Sequence, residues 1–182
     1  MGRMPEIKSK EGLCADHERI FDAIVASRGG KMGPLTAVLF NSPEAAGRIS
    51  YLGEYLYSGS SLPALDREIA VLTAARELDC EYEWSVHVES APRAGVRQVV
   101  IDVIGHRRPL DTLTSDEALI VAYGRELLRD HRVSQQTFRA AKERYGNLGL
   151  TDLTATLGYY AMIACAFNAF EIEPQPNRPA LP

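Results

Sequence analysis

The stretch GVRQVVIDVIG, residues 95 to 105, constrains the fold more than any other, because its β-branched residues invite a strand while their spacing forbids one. Val96, Val99, Val100, Val103 and Ile104 fall at i, i+3, i+4, i+7 and i+8, which lines one face of a helix. On a strand the same five would point to both faces of a sheet. No other segment alternates convincingly with period two, so the chain is expected to be all-α.

The remaining helices follow from their punctuation. An extended arm over 1–14 precedes ADHERIFDAIVASR, where Ile20, Ile24 and Val25 have helical spacing, and GGKMGPL then breaks the chain. Ser42 before Pro43 predicts an N-cap and first-turn proline for EAAGRISYLGEYLY, and Pro63 opens ALDREIAVLTAAREL. The segment around Cys80 either continues that helix after a break or begins a new one, ending near Pro92 and Gly95. Thr114 with Glu117 predicts a capping box, Ser134 a further cap, and Thr151 or Asp152 the start of a last helix to about Glu171. The tail EPQPNRPALP cannot hold a helix and is expected along the surface or against a neighbour.

Length and charge narrow the function classes. A chain of 182 residues suits one domain, 1–182, able to bury a core without disulfide or metal staples. A net charge of −4 supplies no field for a polyanion, so no nucleic-acid partner is expected. The longest apolar passage, residues 158–170, is interrupted by Asn168 and falls short of the ~20 residues that cross a bilayer, which predicts a buried helix and no membrane. The charged start lacks the apolar stretch of a secretory signal, so a cytoplasmic location is expected. Cys14, Cys80 and Cys165 are too few and too scattered for a disulfide framework or a cysteine zinc site.

The chemistry gathers in LDCEYEWSVH, residues 78–87. If this segment is helical, Cys80, Glu83 and His87 share one face over two turns, and Trp84 borders that face, where it would exclude water. Glu68 sits among Leu65, Ile69 and Leu72, so its carboxylate rides an apolar stripe and needs a buried partner. His87 is one candidate, and the pair would raise the imidazole pKa and fix its tautomer, as in an acid or base poised near neutrality. An ion pair with Arg67 or Arg76 is the structural alternative. Asn168, on the stripe of Leu157, Ala161 and Ala164, has two uses open to it: binding substrate or capping buried backbone. Arg93, or the pair Arg107 and Arg108, would hold a substrate carboxylate or simply be solvated.

Glu68, eleven residues, Cys80, two residues, Glu83, three residues and His87 together resemble the signature of the carboxymuconolactone decarboxylase and alkylhydroperoxidase D superfamily. Glu68, Cys80 and His87 match the hydroperoxidase pattern, with Glu83 where its second cysteine would stand; Glu83, His87 and Gly95 resemble the decarboxylase pattern, although SAPRAG replaces the run usual before that glycine. The resemblance covers about residues 35–105. It implies an all-helical bundle, a homotrimer or a hexamer of trimers, and a pocket for a small molecule near a subunit interface.

Two chemistries compete within that resemblance. A thiol peroxidase needs a thiolate and a resolving thiol nearby, yet Cys80 lies among Glu77, Asp79, Glu81 and Glu83, and a thiol of pKa about 8.5 is only ~3% ionised at pH 7 even without such crowding. Acid–base chemistry on a small carboxylated or lactone substrate keeps its parts: His87 moves the proton, Glu83 is its partner, Glu68 orients His87, and Cys80 lines the pocket. A metal reading is poor in histidine and has no HExxH, so neither metal nor cofactor is expected. A third class is a non-catalytic binding protein on the same scaffold.

Overall fold

The computed structural model describes residues 2–182, and every regular element among them is helical. In chain order these are α1 (Ala15–Ser27), α2 (Pro34–Leu39), α3 (Pro43–Glu54), a π turn (Tyr55–Gly59), α4 (Ala64–Glu77), α5 (Glu81–Ser90), a 3-10 turn (Ala91–Ala94), α6 (Gln98–Gly105), α7 (Ser115–Arg129) and α8 (Gln135–Phe170). They form two compact units, Met1–Gly59 with Phe170–Ile172, and Ser60–Ala169 with Glu173–Pro182.

The first unit is built on Phe21, Ile24, Phe40 and Ala46, with the Phe21 and Phe40 rings edge to face at 5.4 Å. Its helix α2 was not expected from GGKMGPL. With Leu35, Thr36, Ala37 and Val38 all buried, this short helix has no polar face to give it a period. Pro34 occupies its first turn, where a missing N–H costs nothing. Ser42 precedes α3 as expected, but its side chain makes no cap bond; only its carbonyl accepts, from the Ala46 amide at 2.9 Å.

In the second unit α4 is the central element. Seven consecutive residues, Ile69 to Ala75, are buried, so this helix is enclosed on every side. On α7, Gly124 permits a close approach: a Cβ there would lie 2.7 Å from Thr73 Cγ2 and 3.2 Å from Leu157 Cδ2. The capping box at the start of α7 forms, with the Thr114 amide donating to Glu117 Oε2 (2.9 Å) and the Glu117 amide donating to Thr114 Oγ1 (3.3 Å). Segment 98–105 is helical, with Val100, Val103 and Ile104 buried as the spacing requires, but Val99 is only half-buried, Ile101 is buried as well, and Val96 is buried ahead of the helix, which begins at Gln98.

The last two expected helices run together as α8, interrupted at Gly146 (φ 63°). The chain turns there rather than at Thr151, because glycine tolerates the left-handed backbone. Asp152 is therefore inside the helix. Its Oδ2 accepts from the Ser61 amide (2.8 Å) and hydroxyl (2.7 Å), while Asp66 Oδ2 accepts from Tyr145 Oη (2.7 Å) and Arg144 Nη2 (2.9 Å), so buried carboxylates pin both sides of the kink. By length and composition α8 could cross a membrane, but Leu150, Leu153, Leu157, Ala164 and Phe167 spend its apolar face inside the fold. The tail lies along the second unit: Arg178 pairs with Glu89 at 2.6 Å, and Leu181 packs on the core.

Candidate acid–base site

A sharp turn places the site residues. After α4 the chain reverses through Asp79, which adopts φ 48°, and the Cys80 amide donates back to the Ala75 carbonyl at 2.8 Å while the Asp79 amide donates to the Arg76 carbonyl at 3.3 Å. This is a Schellman ending with aspartate where glycine is usual. Arg107 Nη2 holds the Asp79 carboxylate at 2.9 Å, so side-chain charge supports a conformation the backbone alone disfavours. Cys80 becomes the N-cap of a new helix, α5, which is the second of the two possibilities left open by the sequence.

Because α5 packs against α4, carboxylates from two helices reach one imidazole. His87 Nδ1 lies 2.9 Å from Glu68 Oε2, and His87 Nε2 lies 3.2 Å from Glu83 Oε2. The Ser90 hydroxyl also donates to Glu68 Oε2, at 3.0 Å. Side-chain exposure is 4% for Glu68, 10% for His87 and 12% for Glu83, so the group is almost dry and its openness to solvent is greatest at Glu83.

Burial pulls the His87 pKa down, but hydrogen bonds to Glu68 and Glu83, reinforced by their charges, overcome it and push the value up to about 9. Burial also opposes ionisation of Glu68, yet its bond to His87, the imidazolium charge and the Ser90 bond leave its pKa below the usual carboxylate range. The pair therefore rests as imidazolium and carboxylate. The expectation of a group poised near neutrality needs correction: with Glu68 and Glu83 both on the imidazole, their joint charge stabilises the cation and carries its pKa well past neutrality.

The other predicted residues are dispersed. Cys80 is fully buried, and its burial, only partly offset by the Glu83 and Tyr82 amides, pushes the thiol up to about 11. Cys165, exposed on α8, is near enough for its charge to bear on Cys80. Trp84 is turned into the core against α6, where a Cβ on Gly105 would lie 3.0 Å from its ring. Arg93 is exposed on the 3-10 turn. Asn168 is exposed rather than on the buried stripe, and its Nδ2 donates to the Leu78 carbonyl at 2.8 Å, satisfying the end of α4. Arg107 is engaged with Asp79 and the Arg76 carbonyl.

Two neighbours went unnoticed in the sequence. Ser90 lies three residues after His87, a helical spacing that would have revealed it. Tyr160 of α8 stands edge-on to the His87 ring, with centroids 5.4 Å apart at 88°. Its only sequence sign is its position three residues after Leu157 on an apolar stripe.

This all-helical scaffold is a fold seen in solved structures. A protein of unknown function from Agrobacterium tumefaciens, described as a candidate antioxidant defence protein AhpD, superposes with TM-score 0.65 at 16% identity, covering 74% of this chain and 93% of its own. An uncharacterised peroxidase-related protein from Silicibacter sp. TM1040 gives 0.73 at 12% identity, covering 98% and 97%. No curated protein matches the sequence. Residues 43–121 match the model of the carboxymuconolactone decarboxylase family. The matched segment includes Glu68, Cys80, Glu83 and His87, and extends beyond residue 105 into α7.

Proposed function

We propose that the chain is an acid–base enzyme of this superfamily, acting by decarboxylation or proton transfer on a small carboxylated or lactone substrate. The observation that carries the reading is a buried histidine whose two ring nitrogens each meet a carboxylate, at 2.9 and 3.2 Å. In decarboxylation, carbon dioxide departs and its bonding pair passes into an adjacent carbonyl, giving an enolate. His87, resting as imidazolium, returns a proton to carbon through Nε2. In isomerisation, Glu83 first accepts the proton from carbon. Glu68 holds Nδ1 so that the proton for transfer is the one on Nε2, facing Glu83. The family match over residues 43–121, which holds Glu68, Cys80, Glu83 and His87, supports a chemistry of this superfamily in general; the choice of acid–base catalysis rests on this geometry.

The nearness of Cys165 to Cys80 favours a second reading, thiol peroxidase. Against it stands a thiol pushed up to about 11, which leaves roughly one thiolate in ten thousand at pH 7. The test is a panel of carboxylated lactones and β-keto acids, run beside hydroperoxide with a dithiol reductant. Turnover abolished by His87→Asn and Glu83→Gln but retained by Cys80→Ser supports acid–base catalysis. Peroxide turnover abolished by Cys80→Ser alone supports the alternative. Assembly into a homo-oligomer belongs to the same proposal; exposed Tyr51, Leu52, Tyr55 and Tyr57, on α3 and the π turn, offer apolar surface for it, and light scattering measures the mass.

A further inference from the structure

Among the inward-facing tyrosines of the second unit, two have obvious partners. Tyr123 Oη is 2.8 Å from Thr154 Oγ1, and Tyr145 Oη donates to Asp66 Oδ2 at 2.7 Å. Tyr160 differs. Its ring packs on the core and stands against His87 and Tyr159, yet its hydroxyl makes no hydrogen bond to another described residue. Its hydroxyl is not among the buried unpaired groups, so it is open to solvent or to a bound molecule beside the His87 ring.

Its surroundings fix what that partner would be. Burial, with Glu83, Tyr159 and Glu68 nearby, raises the phenol pKa far above its ordinary value, and the neighbouring Arg67 does not reverse this. The hydroxyl therefore stays protonated wherever His87 is protonated, and can donate to an oxygen that gains negative charge. The residue comes from α8, outside the matched segment 43–121, so the long C-terminal helix contributes to the site rather than merely covering it.

We propose that Tyr160 is the oxyanion donor of this site, its hydroxyl hydrogen-bonding the substrate oxygen that becomes an enolate, which restricts substrates to those with a carbonyl conjugated to the reacting carbon. This rests on the acid–base reading above. No bond to Tyr160 is made or broken: the electron pair moves to the substrate oxygen, Tyr160 holds it, and the proton returns through His87.

The test uses 4-nitrophenol, whose anion resembles an enolate and is followed by its visible absorption, and needs no turnover. Wild-type protein is expected to bind the phenolate form, and Tyr160→Phe to bind it at least about tenfold more weakly, as loss of one hydrogen bond to a charged group implies. The His87 imidazole NMR titration and the far-UV circular dichroism of the variant should be unchanged. Across phenols of rising basicity, wild-type affinity should climb while that of Tyr160→Phe stays flat. Equal affinities in the two proteins, equal slopes, or no phenolate binding by wild type would overturn the proposal. Because binding reads Tyr160 and turnover reads His87 and Glu83, phenolate binding with silent catalysis would sink the acid–base reading while leaving the donor in place.

Discussion

Replacing Glu68 by Gln removes one of two charges that keep His87 protonated, and the size of the effect follows from the site. His87 rises from an ordinary 6.5 to about 9, a difference worth about 3 kcal/mol at ~1.36 kcal/mol per pH unit. At 8% exposure the residue has little solvent screening. Because the folded value exceeds the unfolded one, this stabilisation is complete below about pH 6.5 and disappears as pH rises through about 9. Glu68 has the opposite sign: its pKa is lowered, so its contribution is present above the ordinary carboxylate range and is lost as pH falls through it. Cys80, with a thiol at about 11, enters only at higher pH than His87. Urea unfolding at pH 6, 7.5 and 9 should therefore show wild-type stability falling by about 2–3 kcal/mol over this window, with His87→Asn nearly flat and Glu68→Gln intermediate. Long-range nitrogen NMR should show the Glu68→Gln imidazole titrating at least about one pH unit lower than wild type. A wild-type His87 that titrates at or below 6.5, or a His87→Asn variant that keeps the full slope, would refute the clamp.

Other perturbations probe separate parts of the molecule. Iodoacetamide at pH 7 should label exposed Cys14 and Cys165 well before Cys80, by peptide mass spectrometry, with Cys80 modified at least about a hundredfold more slowly. Glu77→Ala should cost about 3–5 kcal/mol in denaturant unfolding, because the 1%-exposed carboxylate pairs with Arg129 and lies 3.8 and 3.9 Å from Arg125 and Arg107. Gly124→Ala should lose about 1–3 kcal/mol by forcing α7 from Thr73 and Leu157, read as a lower unfolding midpoint. Thr114→Ala, which leaves only the glutamate half of the capping box, should cost about 1 kcal/mol in the same assay.

The sequence by itself determined the fold class, and it singled out Glu68, Glu83 and His87, which the fold brings together, while passing over Ser90 and Tyr160. Helical spacing read over 96–104 overrode β-branched composition, although the helix forms only from Gln98, and the capping box at Thr114 marked the start of α7, because both signals are local. Glu68 on an apolar stripe likewise implied a buried partner. What no local pattern carried was the geometry that sets both carboxylates on one imidazole. The Schellman turn at Asp79, made with a residue that does not announce it, sets α5 against α4 so that Glu68 and Glu83 reach opposite nitrogens of His87, and their joint charge makes the imidazolium the resting form. Tyr160 arrives from 73 positions further along the chain than His87, and the amide of Asn168 turns to a backbone carbonyl instead of the site. Such choices depend on distances between helices, which packing fixes and residue spacing along one helix does not encode.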